Sequence, residues 1–158
     1  MKVIVTGSFD PITLGHLEII KYASEKYDEV YVVALNNEKK SYMFTLNERK
    51  ELIRLSVEEL PNVVVDAYSG MTADYMHEHG INLIVRGVRN STDEEYECQL
   101  AKVMNSIDKN FKTEFIRCKD DFSGVSSTVV RERIVNNEPI DGLVHPKAIK
   151  AINKIRQC

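Results

Sequence analysis

Val3-Ile4-Val5-Thr6-Gly7-Ser8-Phe9-Asp10-Pro11-Ile12-Thr13-Leu14-Gly15-His16 decides the reading of this chain. The apolar run Val3-Ile4-Val5 reads as a buried strand, and the segment from Leu14 reads as an amphipathic helix. Small residues, Gly7 and Ser8, join them, and Pro11 fixes φ in the turn. Thr13 is placed to cap the helix, which puts Gly15 and His16 in its first turn. A strand, a small-residue turn and a helix start together offer outward N–H groups and the positive end of a helix dipole to an anion. A charged histidine is unfavourable at that end of a helix, so His16 implies a neutral ring or an anion beside it. The plain alternative is an ordinary capped βα loop, which is common.

The same strand-then-helix alternation runs outward from this point. Val30 to Leu35 is a continuous apolar run, the mark of a parallel strand covered on both faces. Thr45 and Glu48 form a capping box that opens a helix with Leu46, Ile53, Val57 and Leu60 on its core side. Pro61-Asn62 stops that helix, and Val63 to Val65 is a third strand. Thr72 to His79 is a short helix ended by Gly80, and Leu83 to Val85 a fourth strand. Thr92 to Ile107 is a longer helix with Tyr96, Leu100, Val103, Met104 and Ile107 at helical spacing. Thr113 to Ile116 is a fifth strand, Ser126 opens a helix to about Val135, and Pro146 opens a last one with Ile149, Ile152 and Ile155 inward. The expected fold is α/β: a Rossmann-like, doubly wound sheet of five parallel strands with flanking helices, in one domain spanning residues 1–158. Ligands of such sheets bind beyond the carboxyl ends of the strands. No internal repeat, low-complexity tract or linker interrupts the pattern.

Composition narrows the function. At 158 residues, 43% hydrophobic and net charge −3, the chain reads as an ordinary globular domain. A pI of about 5.8 argues against a nucleic-acid partner but leaves room for a local anion pocket. Cys98, Cys118 and Cys158 form no CxxC pair, so they read as free thiols of a reducing compartment, with no metal centre among them. No apolar run approaches a membrane span, and Met1 to Gly7 is too short in its apolar part for a signal peptide. The expected setting is the cytoplasm, without membrane partners.

Two further stretches carry chemistry. Arg86-Gly87-Val88-Arg89 follows the fourth strand, and two arginines across a glycine can grip a polyanion with forked donors. Ser126-Ser127-Thr128 lies at a helix start, where hydroxyls and N–H groups can meet phosphate oxygens. Glu38-Lys39-Lys40 is the one charged patch, in the loop after the second strand. Read singly, the first two are surface arginines and a plain N-cap. Placed with the Gly7 loop after strands of one sheet, they converge on phosphate chemistry. Glu97 reads first as part of an acidic helix start that suits the dipole, and Met71 and Met104 as core filler. No GxxxxGK[ST] occurs, which excludes a P-loop.

The loop resembles the (T/S)-x-G-H signature of the nucleotidylyltransferase superfamily through Thr13-Leu14-Gly15-His16. Further segments occur in order: Lys39 to Arg49, Ile84 to Arg89, Glu95 to Ala101 and Val125 to Glu132. Together they are similar to the bacterial phosphopantetheine adenylyltransferases. The resemblance implies transfer of AMP from ATP to 4′-phosphopantetheine, giving dephospho-coenzyme A and pyrophosphate, with Mg²⁺ and a homohexamer of two stacked trimers. It implies that His16 contacts the α-phosphate in the transition state, and that Ser8 and Phe9 lie at the ATP, Ser8 also near the acceptor phosphate. It further implies that Lys40, Thr72 and Arg86 hold phosphopantetheine. Gly87, Val88, Arg89, Glu97 and the stretch Phe122, Ser123, Gly124, Val125, Ser126, Ser127 and Thr128 would hold ATP. The sequence departs from the pattern in three places. Ser8 stands for the commoner threonine, Phe122 to Val125 lacks the aromatic-rich Ser-Phe-Ile, and Met104-Asn105-Ser106 comes one residue late without its arginine. One residue is about 100° on a helix, so Asn105 receives no pantetheine contact. Two rivals remain: another member of the superfamily, such as a nicotinamide mononucleotide adenylyltransferase or a cytidylyltransferase, and a sensing module that binds ATP or coenzyme A without turnover. The short chain and the Lys39–Arg49 segment weigh against the first; intact His16, Lys40 and Arg86 weigh against the second.

Overall fold

The computed structural model describes residues 1–117 and 124–157. Five strands form one all-parallel sheet: β1 (Lys2–Gly7), β2 (Glu29–Leu35), β3 (Val63–Tyr68), β4 (Leu83–Val88) and β5 (Lys112–Arg117). Their order is β3-β2-β1-β4-β5. The chain therefore winds outward from β1, then returns to its other side with β4, and the strand order reverses between β1 and β4. Loops leaving these two strands diverge to opposite faces and open a crevice there. Both the His16 loop and the Arg86 segment belong to that crevice.

Among the described residues six helices flank the sheet: α1 (Leu14–Lys26), α2 (Leu46–Ser56), α3 (Thr72–His79), α4 (Ser91–Ile107), α5 (Ser127–Val135) and α6 (Pro146–Arg156). Side chains alternate along β1. Val3 and Val5 join a core with Leu17, Ile20, Ile53, Val130 and Ile152, from α1, α2, α5 and α6. Ile4 turns the other way into a second core with Ala73, Tyr75 and Met76 of α3 and with Ile84 and Phe111. That two-faced burial explains the unbroken apolar runs of the central strands.

The strands are longer than their apolar runs predict. β3 continues to Tyr68, and β4 continues through Arg86, Gly87 and Val88, which pair with Phe115, Ile116 and Arg117 of β5. Arg86 is thus a strand residue and not a loop residue. The ladder continues because each added residue gains backbone partners, whatever its side chain. α2 ends at Ser56, with Val57 as its C-cap, several residues before the expected Pro61 stop. The remaining helix limits agree with the sequence reading within a residue or two, and Gly80 ends α3 in the left-handed conformation (φ 65°) that glycine adopts without strain.

Candidate active site

Thr13 is the N-cap of α1, and the capping box it makes is unusual in its partner. The Thr13 hydroxyl accepts from the His16 amide at 3.4 Å, and the Thr13 amide donates to His16 Nδ1 at 3.0 Å. A ring nitrogen that accepts carries no proton, so in the neutral imidazole the proton sits on Nε2. Burial of the ring, then the positive charges of Arg89 and Arg86, lower the His16 pKa to about 4. His16 is therefore a neutral N–H donor at physiological pH, resolving the conflict with the helix dipole that the sequence raised. The Phe9 ring meets it edge-on, with centroids 5.0 Å apart.

The loop carrying these groups is tied down from several sides. Phe9 takes φ 47°, a left-handed conformation costly for a side-chain-bearing residue, while burying its ring almost completely. The buried Asp10 carboxylate accepts from the amides of Met43 and Phe44, each at 2.9 Å. Ser127 Oγ donates to Pro11 O at 2.8 Å, and Arg131 Nη1 to Asp10 O at 2.8 Å. Arg49 of α2, 0% exposed, donates to Ser8 O, Leu35 O, Phe44 O and Asn36 Oδ1, and its guanidinium lies 3.8 Å from the centre of the Tyr42 ring. One buried cation thus joins the loop after β1 to the loop after β2. Asp10, Arg49 and Arg131 are organisers that sequence reasoning passed over, while Ser127, assigned to ATP, also ties the loop through Pro11 O. The available signal was an arginine placed among the core-facing Leu46, Leu52 and Ile53 of an amphipathic helix.

Two cavities open on this rim. The larger, about 770 Å³, is lined by Ser8, Lys40, Thr72 and Arg86 and by the apolar Leu100, Val103 and Met104 of α4. The smaller, about 350 Å³, is lined by Phe9, His16, Gly87, Arg89 and Glu97 and by Val125 to Thr128 at the start of α5. Thr6, Gly7, Arg86 and Glu97 line both and form their common wall. There the Arg86 guanidinium and the buried Glu97 carboxylate pair through two hydrogen bonds of 2.8 Å. Ser126 caps α5, its hydroxyl accepting from the Val129 amide at 3.2 Å. The residues assigned to the acceptor on resemblance thus share one cavity, and most of those assigned to ATP share the other. Val88 is buried in the sheet and lines neither cavity, as does the exposed Gly124. Phe122 and Ser123 lie outside the described residues, as do Cys118 and Cys158. Asn105 turns away to cap its own helix end, donating to Lys109 O and Phe111 O.

Among the described residues no cluster of three or more His, Cys, Asp or Glu side chains is arranged to hold a metal ion. Nor is any helix among them long and apolar enough to cross a membrane.

The cytidylyltransferase-like family model matches residues 4–133 of this chain. Among solved structures, a Vibrio parahaemolyticus protein assigned as a nicotinate-nucleotide adenylyltransferase superposes with a TM-score of 0.71. That match covers 97% of this chain and 91% of the other at 16% identity, a likeness of fold.

Proposed function

Since the chain belongs to the cytidylyltransferase-like family of nucleotidyltransferases, we propose that it transfers AMP from ATP to the phosphate of 4′-phosphopantetheine. The single observation that carries this reading is the pair of cavities meeting at one wall, with His16 on one side and Lys40 on the other.

ATP occupies the smaller cavity, with its phosphates toward His16, Arg89 and the N-terminus of α5. The acceptor occupies the larger one, with its phosphate toward Ser8, Lys40 and Arg86 and its chain along Leu100, Val103 and Met104. A volume of about 770 Å³ suits a long, flexible acceptor. A nicotinate or nicotinamide nucleotide calls for a flat stacking partner. Among the described lining residues the aromatic one is Tyr42, whose ring is already paired with Arg49.

An acceptor phosphate oxygen attacks the α-phosphorus of ATP, a P–O bond forms there, and the bond to the β-phosphate oxygen breaks with its electron pair leaving on pyrophosphate. The nucleophile is already largely ionised at pH 7, because the second pKa of a phosphomonoester is near 6, so no side chain has to remove a proton. Catalysis then rests on alignment and on donors aimed at the charge that builds on the transferring group. His16 supplies such a donor through Nε2–H, held by Thr13 and the core behind α1. Mg²⁺ accompanying ATP would supply screening of polyphosphate charge.

The proposed assembly is a hexamer of two stacked trimers in the cytoplasm. The exposed Tyr96 and Ile107 of α4, outside the acceptor cavity, support self-association. The deciding experiment is pyrophosphate release from ATP with phosphopantetheine, nicotinate mononucleotide and nicotinamide mononucleotide offered in turn, and from CTP with phosphocholine. Release with phosphopantetheine alone is expected. Release with another acceptor would reassign the substrate, and ATP binding without acceptor-dependent release would make the chain a nucleotide-binding module.

A further inference from the structure

Glu97 is one of five residues in the chain that are both polar or charged and buried among the described residues, yet it stands on a helix most of whose apolar side chains face outward. Something holds it in. Its Oε2 accepts from Arg86 Nε and its Oε1 from Arg86 Nη2, both at 2.8 Å, so the two planar groups lie side by side. Arg86 Nη1 in turn meets two oxygens of Thr6 on β1, the carbonyl at 3.1 Å and the hydroxyl at 3.3 Å. The guanidinium is thus gripped from two directions, by α4 and by the central strand. Nη2 has two N–H groups, and Glu97 takes the one on the Nε side. Its other N–H, directed away from Glu97, has no acceptor among the described residues.

We infer that Glu97 is a positioning residue for Arg86, aiming the remaining Nη2–H at the acceptor phosphate rather than making its main contact with ATP. The inference rests on the proposed reaction for the identity of that phosphate. Each Glu97 oxygen already accepts one hydrogen bond from Arg86, so the acceptor sites left for a ribose hydroxyl are those turned away from the guanidinium. An unpaired carboxylate at the wall between two anion cavities would repel both substrates, whereas the paired one presents a neutral unit with one directed donor. In this arrangement Arg86 acts by direction, and the mobile positive charge for the acceptor comes from Lys40, whose ammonium has no ion-pair partner among the described residues.

Steady-state kinetics of Glu97→Gln test this. Glutamine keeps the size but places an N–H against a guanidinium N–H, so the side-by-side pair is lost. The KM for phosphopantetheine is expected to rise about tenfold or more, with the KM for ATP within about twofold of its original value. A raised KM for ATP with that for phosphopantetheine unmoved would overturn the inference, as would no change in either. Where both rise, Arg86→Lys and the double variant decide: Glu97→Gln should add little once the fork is gone, and a full additive loss would show two independent roles. Should Glu97→Gln not fold, the unsubstituted protein still answers through the NMR signal of Arg86 Nε–H. Retention of that slowly exchanging signal on adding phosphopantetheine is expected, and its loss would mean that Glu97 lets go when the phosphate binds. Absence of any turnover with phosphopantetheine in the unsubstituted protein is a separate result that removes the proposed substrate. The Nε–H signal followed with inorganic phosphate then still reports whether Glu97 holds Arg86.

Discussion

Helices α1 and α4 both begin at the carboxyl edge of the sheet and both bring a polar side chain to the rim, but their flanks meet opposite fates. α1 buries Leu17, Ile20 and Ala23 in the core, with Ile20 and Ala23 at 0% exposure. α4 carries an equally regular apolar row, yet Tyr96 is 62%, Val103 55% and Ile107 44% exposed, and its buried residue is Glu97. Helical periodicity shows that a face is apolar; it does not say what covers it. The consequence for chemistry is direct. His16 is fixed from within, by its own helix cap and by the core behind it. Glu97 is fixed from across the crevice, by Arg86, on a helix whose outer flank is left for another surface.

Removing the side chain at the rim end of α1 should have the largest effect. His16→Ala is expected to lower kcat of pyrophosphate release by a hundredfold to a thousandfold, as loss of one directed donor to transition-state charge does elsewhere. The KM for ATP should change far less, which separates transition-state from ground-state binding. A variant with near-normal kcat would show that α1 brings no reacting contact to the rim.

The contrast in burial gives the next largest effect. Ile20→Ala should cost about 2–5 kcal/mol in urea unfolding, the range for large-to-small changes in a packed core. Ile107→Ala should cost about 0.5 kcal/mol or less in dilute, dissociated protein, as exposed substitutions do. If α4 is covered by another copy, Ile107→Asp should reduce the mass measured by light scattering without unfolding the chain. An equal cost at both positions in dilute protein would erase the distinction between the two helices.

Protonation of His16 gives an intermediate effect. Its folded pKa of about 4 lies below the ordinary 6.5, so an unfolded chain takes up a proton over this interval that the folded chain refuses. Stability should therefore be complete above pH 6.5 and decline as pH falls toward 4, on the order of 3 kcal/mol for this group. His16→Gln should flatten that part of the pH dependence at fixed protein concentration. In NMR the His16 ring should titrate near pH 4; a midpoint near 6.5 would mean that the cap does not hold the ring neutral.

The smallest effect concerns the start of α4. Asn90 caps it by accepting from the Asp93 amide at 2.8 Å. Asn90→Ala should cost about 1 kcal/mol of stability and leave the His16 titration unmoved, since α1 has its own cap.

Much of the scaffold could be read directly. Thr13, Thr45 and Ser126 announce three helix starts by local chemistry, and the capping oxygens sit where the spacing requires. The apolar runs announce the parallel strands because burial on both faces leaves no polar position. Arg86 is harder. Its charge argues for a loop, yet the hydrogen-bond ladder to β5 carries it into a strand. Arg49 was legible only as an oddity, because its acceptors are main-chain oxygens and an amide from three separate places, and main-chain oxygens leave no mark in a sequence.

What the sequence determined by itself is therefore what depends on neighbours along the chain: the caps and the alternation of strand and helix. The tertiary structure alone decided that Arg86 and Glu97 pair across the crevice, that His16 is neutral, that Arg49 ties two loops together, and that the apolar row on α4 faces outward from its own chain. The physical reason is range. Capping and periodicity act over a few residues, whereas a pKa, a buried ion pair or an exposed face depends on groups that meet only after the sheet reverses its strand order between β1 and β4.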